Sequence, residues 1–384
     1  MRAPCLPAVY GHAVPYHNDG GRAGLAPREP GEPGALRGPL FDGESRPGER
    51  GDPMDETGYR ELLGTRHLEP AQVERSVAAV RRFEEFLQRC RPDATAARAT
   101  AGDAERFLEE LDRTVSDPAA DALAIGRYAL LTHNGEVQVA VLERIDGADV
   151  PASLSRKLAD LVGEKRRDEV FAGLEIPPIS APGEQKSAFM RQVVERLVGR
   201  IDAETVSTAL TSGLHFVPKE AFAEDRKRYL AAPDIDAFIE DEHRRYVEHL
   251  ARLKDEGTLY YTQPITDDVL AYVRDTPTCG GGVRHGDAIH VTKIPYQADS
   301  YLHETDELRK RYLYCHCPWA RESVLHPEVA VSPRFCECSA GFEKQYWDAV
   351  LDEPVQVDVV SSVLQGDLVC EFAVHLPDHV VRAR

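Results

Sequence analysis

The stretch EPVQVDVVSSVLQGDLVCEFAVHLP, residues 353–377, alternates apolar and polar residues on both sides of Gly366-Asp367. Side chains two apart on a strand share a face, so Val355, Val357 and Val359 form one apolar row and Cys370, Phe372 and Val374 another. Glycine followed by aspartate between two such rows is turn chemistry, which predicts an antiparallel hairpin with one face in a core. The pattern recurs in CGGGVRHGDAIHVTKIPYQ, residues 279–297, around Gly286-Asp287. Here His290, Thr292 and Ile294 fall on one face, with Val291 and Lys293 on the other.

Upstream the period changes from two to between three and four. EPAQVERSVAAVRRFEEFLQRC places Val73, Val77, Val80, Phe83, Phe86 and Leu87 on one helical stripe, and Phe107, Leu108 and Leu111 continue the pattern in a shorter helix. DIDAFIEDEHRRYVEHLARLKDEG, residues 234–257, reads as a long charged amphipathic helix closed by Gly257. Between the hairpins, ADSYLHETDELRKRYLYC, residues 298–315, reads as a helix that runs into a cysteine pair. Residues 1–53 are rich in Pro, Gly and Arg and have no apolar period, so they read as a disordered tail or an over-extended start ahead of Met54. The fold class is therefore α+β. A mainly helical region at 54–257 precedes an α/β small-molecule-binding domain with antiparallel hairpins at 258–384.

The 46 basic residues against 65 acidic ones give a formal net charge of −19, which repels phosphate backbones and anionic lipid. No nucleic-acid or membrane partner is expected, and no apolar run reaches the roughly eighteen residues of a membrane helix. The expected compartment is the cytoplasm, and the expected partner is a small-molecule ligand, with homo-oligomerisation left open.

In a reducing compartment, eight cysteines point to metal binding or catalysis before disulfides. Four of them form two tight pairs, Cys315 with Cys317 and Cys336 with Cys338. If such a C-x-C segment is extended, both sulfurs fall on one face and reach one ion. Two pairs complete a tetrahedral thiolate set, for which zinc is the first expectation and an iron–sulfur cluster the second. Cys370, facing the core beside Phe372, is a fifth candidate, and Cys279 before Gly280-Gly281-Gly282 is an alternative. A redox pair, a catalytic thiolate or plain core packing would explain the same residues. Tyr296, Trp319, Arg321 and Trp347 lie near the thiols in sequence and suit a pocket for a small planar or carboxylated molecule.

Residues 282–297, 312–323 and 335–377 together resemble an uncharacterised bacterial family related to L-2-amino-thiazoline-4-carboxylic acid hydrolases, over roughly residues 258–377. The pattern of a cysteine, a helix, a hairpin and GD-x-x-C-x-F at 336–377 is also similar to 4-vinyl-reductase-type ligand-binding domains. The second resemblance implies a zinc site in which Cys336 or Cys338 comes first and Cys370 last. Val359 and Ser362 stand where that family has a glutamate and a further cysteine, so Cys315 and Cys317 are expected to substitute. The first resemblance implies a hydrolase that opens a small cyclic C–N bond. A non-catalytic sensor or carrier with a structural metal is the alternative. The helical stripe at 59–111 resembles the core-binding domain of tyrosine recombinases, but no recombinase-like Arg, His-x-x-Arg and Tyr set follows it.

Overall fold

The computed structural model describes residues 54–66, 68–215 and 217–382. The tail at 1–53 lies outside the described residues. The architecture is α+β, with helices through the N-terminal half and one four-stranded antiparallel sheet in the C-terminal half. Among the described residues no helix is long and apolar enough to cross a membrane.

The five helices Glu56–Thr65, Pro70–Cys90, Ala101–Thr114, Pro118–Leu131 and Gly135–Ile145 bury one core. It contains the stripe expected from the sequence, with Val77, Val80, Phe83 and Leu87 on the longest helix facing Phe107 and Leu111. Local chemistry sets the ends. Thr100 and Asp103 form a reciprocal capping box, and Gly257 takes the left-handed conformation that stops helix Ile235–Glu256.

The sheet consists of β1 (Val283–His285), β2 (Ala288–Thr292), β3 (Gln356–Ser361) and β4 (Glu371–His375), in the order β1-β2-β4-β3. Gly286, at a φ of 66°, makes the turn between β1 and β2. Ile289 and Val291 of β2, Phe372 and Val374 of β4, and Val357 of β3 share one buried face. Helix Glu337–Leu351 covers that face with Tyr346, Trp347 and Val350.

Three apolar cores run across the junction read at residue 257, one of them joining Tyr246 and Leu250 to Ile265 and Val269. Ile235, Phe238 and Ile239 pack under the sheet, and the core of helices Val150–Val162, Gly183–Arg200 and Ala203–Leu210 takes in Trp319, Phe335 and Cys338. The segment 298–315 differs from the single helix expected. It breaks into Ala298–His303 and Glu307–Tyr314, because the Glu304 carboxylate accepts from the Thr305 and Asp306 amides and Asp306 caps the second helix.

Gly341 is where helix Glu337–Leu351 meets the C-terminal end of helix Ala203–Leu210. A Cβ there would lie 2.7 Å from the Thr211 Cα and 2.8 Å from its carbonyl carbon, and backbone cannot rotate away. Gly341→Ala is therefore expected to lower stability by about 1–3 kcal/mol in urea denaturation. Gly199→Ala, on a helix with nothing within 4 Å, serves as the comparison and is expected to be neutral or to gain up to about 1 kcal/mol. Equal stability of the two variants would contradict the tight contact.

Candidate metal centre

Cys315 caps the C-terminus of helix Glu307–Tyr314, and Cys317 lies two residues on, its carbonyl accepting from the Ala320 and Arg321 amides. Cys336 ends the 3-10 turn Pro333–Cys336 and caps helix Glu337–Leu351, so Cys338 falls in that helix's first turn. Cys370 directly precedes β4. These five cysteines line one cavity of about 40 Å³ together with His215, His316, Lys293 and Tyr314, and Phe335, Val363, Leu364 and Phe372 contribute to its apolar wall. That volume has room for about two or three water molecules. Lys293 arrives by strand alternation after Ile289 and Val291, with its Nζ 5.5 Å from the Phe372 ring centre.

The second C-x-C pair departs from the extended geometry that would place both sulfurs on one face. Cys336 has helical φ and ψ, and residues two apart on a helix leave its axis about 200° from one another. Cys336 and Cys338 therefore grip the cavity from different directions. Among the described residues the only set of three or more His, Cys, Asp or Glu ligand atoms within 4.8 Å of one another is Glu184, Glu322 and His326. Among the described cysteines no three sulfurs lie that close. The Glu184 set is at the surface of helix Gly183–Arg200, and Tyr312 Oη donates to Glu322 Oε1 at 2.9 Å.

Burial dominates the protonation of the cavity groups. It pushes the Cys338 and Cys370 thiols up to about 12 and raises those of Cys315, Cys317 and Cys336 as well. Cys317, Cys336 and Cys370 keep some exposed residue surface, but desolvation is still the leading influence on each thiol. The charge of Lys293 opposes burial at Cys315, Cys336, Cys338 and Cys370. The N-terminus of helix Glu337–Leu351, with its partial positive charge, also favours thiolate there. Burial, helped by Lys293, brings the His215 imidazole down to about 4 and His316 to about 3. Both rings are thus neutral near pH 7, and His316 Nε2 lies 2.6 Å from the Ile294 carbonyl oxygen.

None of the four residues expected to bind substrate lines the cavity. Trp319 donates from Nε1 to the Gly147 carbonyl at 2.7 Å, and Trp347 is buried under the sheet against Phe238 and Tyr346. Arg321 stacks between two rings, 4.6 Å from the Tyr296 centre and 5.2 Å from that of Tyr312. Tyr296 Oη donates to Glu143 Oε1 at 3.2 Å, and its ring meets His316 edge-on. This layer fixes the loop of the first cysteine pair against helix Gly135–Ile145. Cys279 packs with Tyr246 and Leu250 in a separate core, away from the cavity, and Cys90 is exposed. His290 pairs with Glu371 at 2.6 Å on the outer side of the sheet.

His215 was not singled out in the sequence, because it lies a hundred residues before the first pair and joins the cavity only through tertiary packing. Comparison with protein-family models, curated proteins and solved structures returns no match.

The donor set fits a soft or borderline metal, since binding would ionise the thiols that burial otherwise keeps protonated. In metal-free protein, a folded-state value above the ordinary 9.0 gives stability that is complete below about pH 9 and is lost as pH rises toward about 12. Metal-free wild type is expected to lose melting temperature over that range more steeply than metal-free Cys338→Ala/Cys370→Ala. Parallel profiles would show that these thiols do not titrate as buried groups.

Proposed function

We propose that this protein is a thiolate-ligated metalloprotein whose functional core is the five-cysteine cavity. The observation that carries the reading is convergence. Cysteines from a helix end, a helix start and a strand start meet at one small enclosure with two neutral imidazoles and the charge of Lys293. Core packing alone gives no reason for this concentration of sulfur around space that it leaves unfilled.

The sulfurs of Cys315, Cys317, Cys336, Cys338 and Cys370 are the candidate ligands of a soft or borderline metal. A metal there would act as a Lewis acid or lower the pKa of a bound water. The resemblance to L-2-amino-thiazoline-4-carboxylic acid hydrolases adds the proposed reaction, opening of a small cyclic C–N bond. Within it, Lys293 would hold negative charge at the cavity and the apolar wall would exclude bulk water. The small size of the cavity favours a second reading, a sensor or carrier in which the metal is structural and the ligand binds elsewhere.

Protein purified without added metal is expected to carry it. Cys317→Ser and Cys338→Ser are each expected to lower metal content severalfold and melting temperature by about 5 °C or more, and a chelator to bring wild type to the same point. Turnover of 2-amino-thiazoline-4-carboxylate by the metal-bound form supports the hydrolase, whereas an inert, equally stabilised form supports the sensor. Protein that neither carries nor takes up metal, with serine variants as stable as wild type, would overturn the proposal.

A further inference from the structure

We infer that the group held in the five-cysteine cavity is a polynuclear iron–sulfur cluster and not a single zinc ion, an inference that rests on the thiolate-centre reading above. Sulfur spacing is the first reason. Four thiolates at about 2.3 Å from one tetrahedral zinc stand about 3.8 Å apart, yet no three sulfurs here lie within 4.8 Å of one another. In a cluster each iron takes its own thiolates, so the sulfurs stand further apart around a larger body.

Space is the second reason. Four sulfurs closed on one zinc leave no room for a water molecule between them, whereas these five surround about 40 Å³. The helical second pair points the same way, because Cys336 and Cys338 diverge around the helix axis and suit ligation at separate metal atoms.

The surroundings agree. Phe335, Val363, Leu364 and Phe372 wall the cavity, and Lys293 faces a site that would carry net negative charge once four thiols have lost their protons. Five cysteines supply the four thiolates that such clusters take, with one to spare. When bound, a cluster supplies one-electron chemistry that zinc cannot.

The test is to purify the full chain anaerobically from cells given both iron and zinc. Iron, zinc and acid-labile sulfide are then measured per chain, with visible absorption before and after dithionite. The expected result is iron and sulfide in near-equal amounts, roughly two to four of each. Broad absorption that dithionite bleaches should accompany them, with little zinc. Cys315→Ser/Cys338→Ser is expected to lose at least four-fifths of both iron and sulfide, while Cys90→Ser retains them. If the double variant does not fold by circular dichroism, the iron and sulfide analysis of wild type decides alone. One zinc per chain without sulfide overturns this inference and leaves the thiolate-centre reading standing. Absence of both metals, persisting after anaerobic incubation with zinc or with iron and sulfide, overturns both.

Discussion

Five thiols withdrawn from water into one enclosure are the constraint around which the C-terminal half is organised. Burial alone keeps them protonated, and as neutral groups they add little beyond the packing of small apolar side chains. Their ionised form is accessible only if positive charge stands beside it. Lys293 and the N-terminus of helix Glu337–Leu351 provide part of that charge, and a metal would provide the rest. Binding would then convert an electrostatically unfavourable arrangement into a cross-link between elements distant in the chain.

The cavity lies where separate apolar cores meet. Cys338 and Phe335 belong to the core of helices Val150–Val162 and Gly183–Arg200, Cys315 packs with Tyr301, Tyr314 and Val363, and Phe372 belongs to the core under the sheet. Loosening of the site would therefore be felt in all three. The layer of Arg321, Tyr296 and Trp319 ties the first cysteine pair to helix Gly135–Ile145, so the helical half contributes directly to the geometry of the site. Their indole and phenol hydrogen bonds are what a buried Trp and Tyr require, which explains why these aromatics serve as scaffold and not as cavity wall.

Both hairpins were legible in the sequence from period-two alternation, but only Gly286-Asp287 sets its register as expected. The second hairpin closes through the longer connection 362–370, with a register shift between Val359 and Ser361, and not through a tight Gly366-Asp367 turn. Alternation also placed Lys293 opposite His290, the face from which it reaches the cavity. The grouping of Cys315, Cys317, Cys336, Cys338 and Cys370 was legible from spacing and from strand phase. The helical conformation of Cys336 was not, since the short segment between Val331 and Glu337 has no period to read. The break at Glu304 arises from side chain to backbone hydrogen bonds that compete with a continuous helix. His215 was beyond reach for another reason, because only long-range packing brings it to the cysteines.

X-ray absorption at the metal edge of anaerobically purified protein tests the thiolate centre most directly, because it reports the atoms around the metal whatever the metal is. The expected spectrum has a first shell dominated by sulfur at about 2.3 Å, weakened when Cys336 and Cys370 are replaced by serine. A first shell of nitrogen and oxygen only, unchanged by those substitutions, would place the metal elsewhere in the chain and contradict the centre.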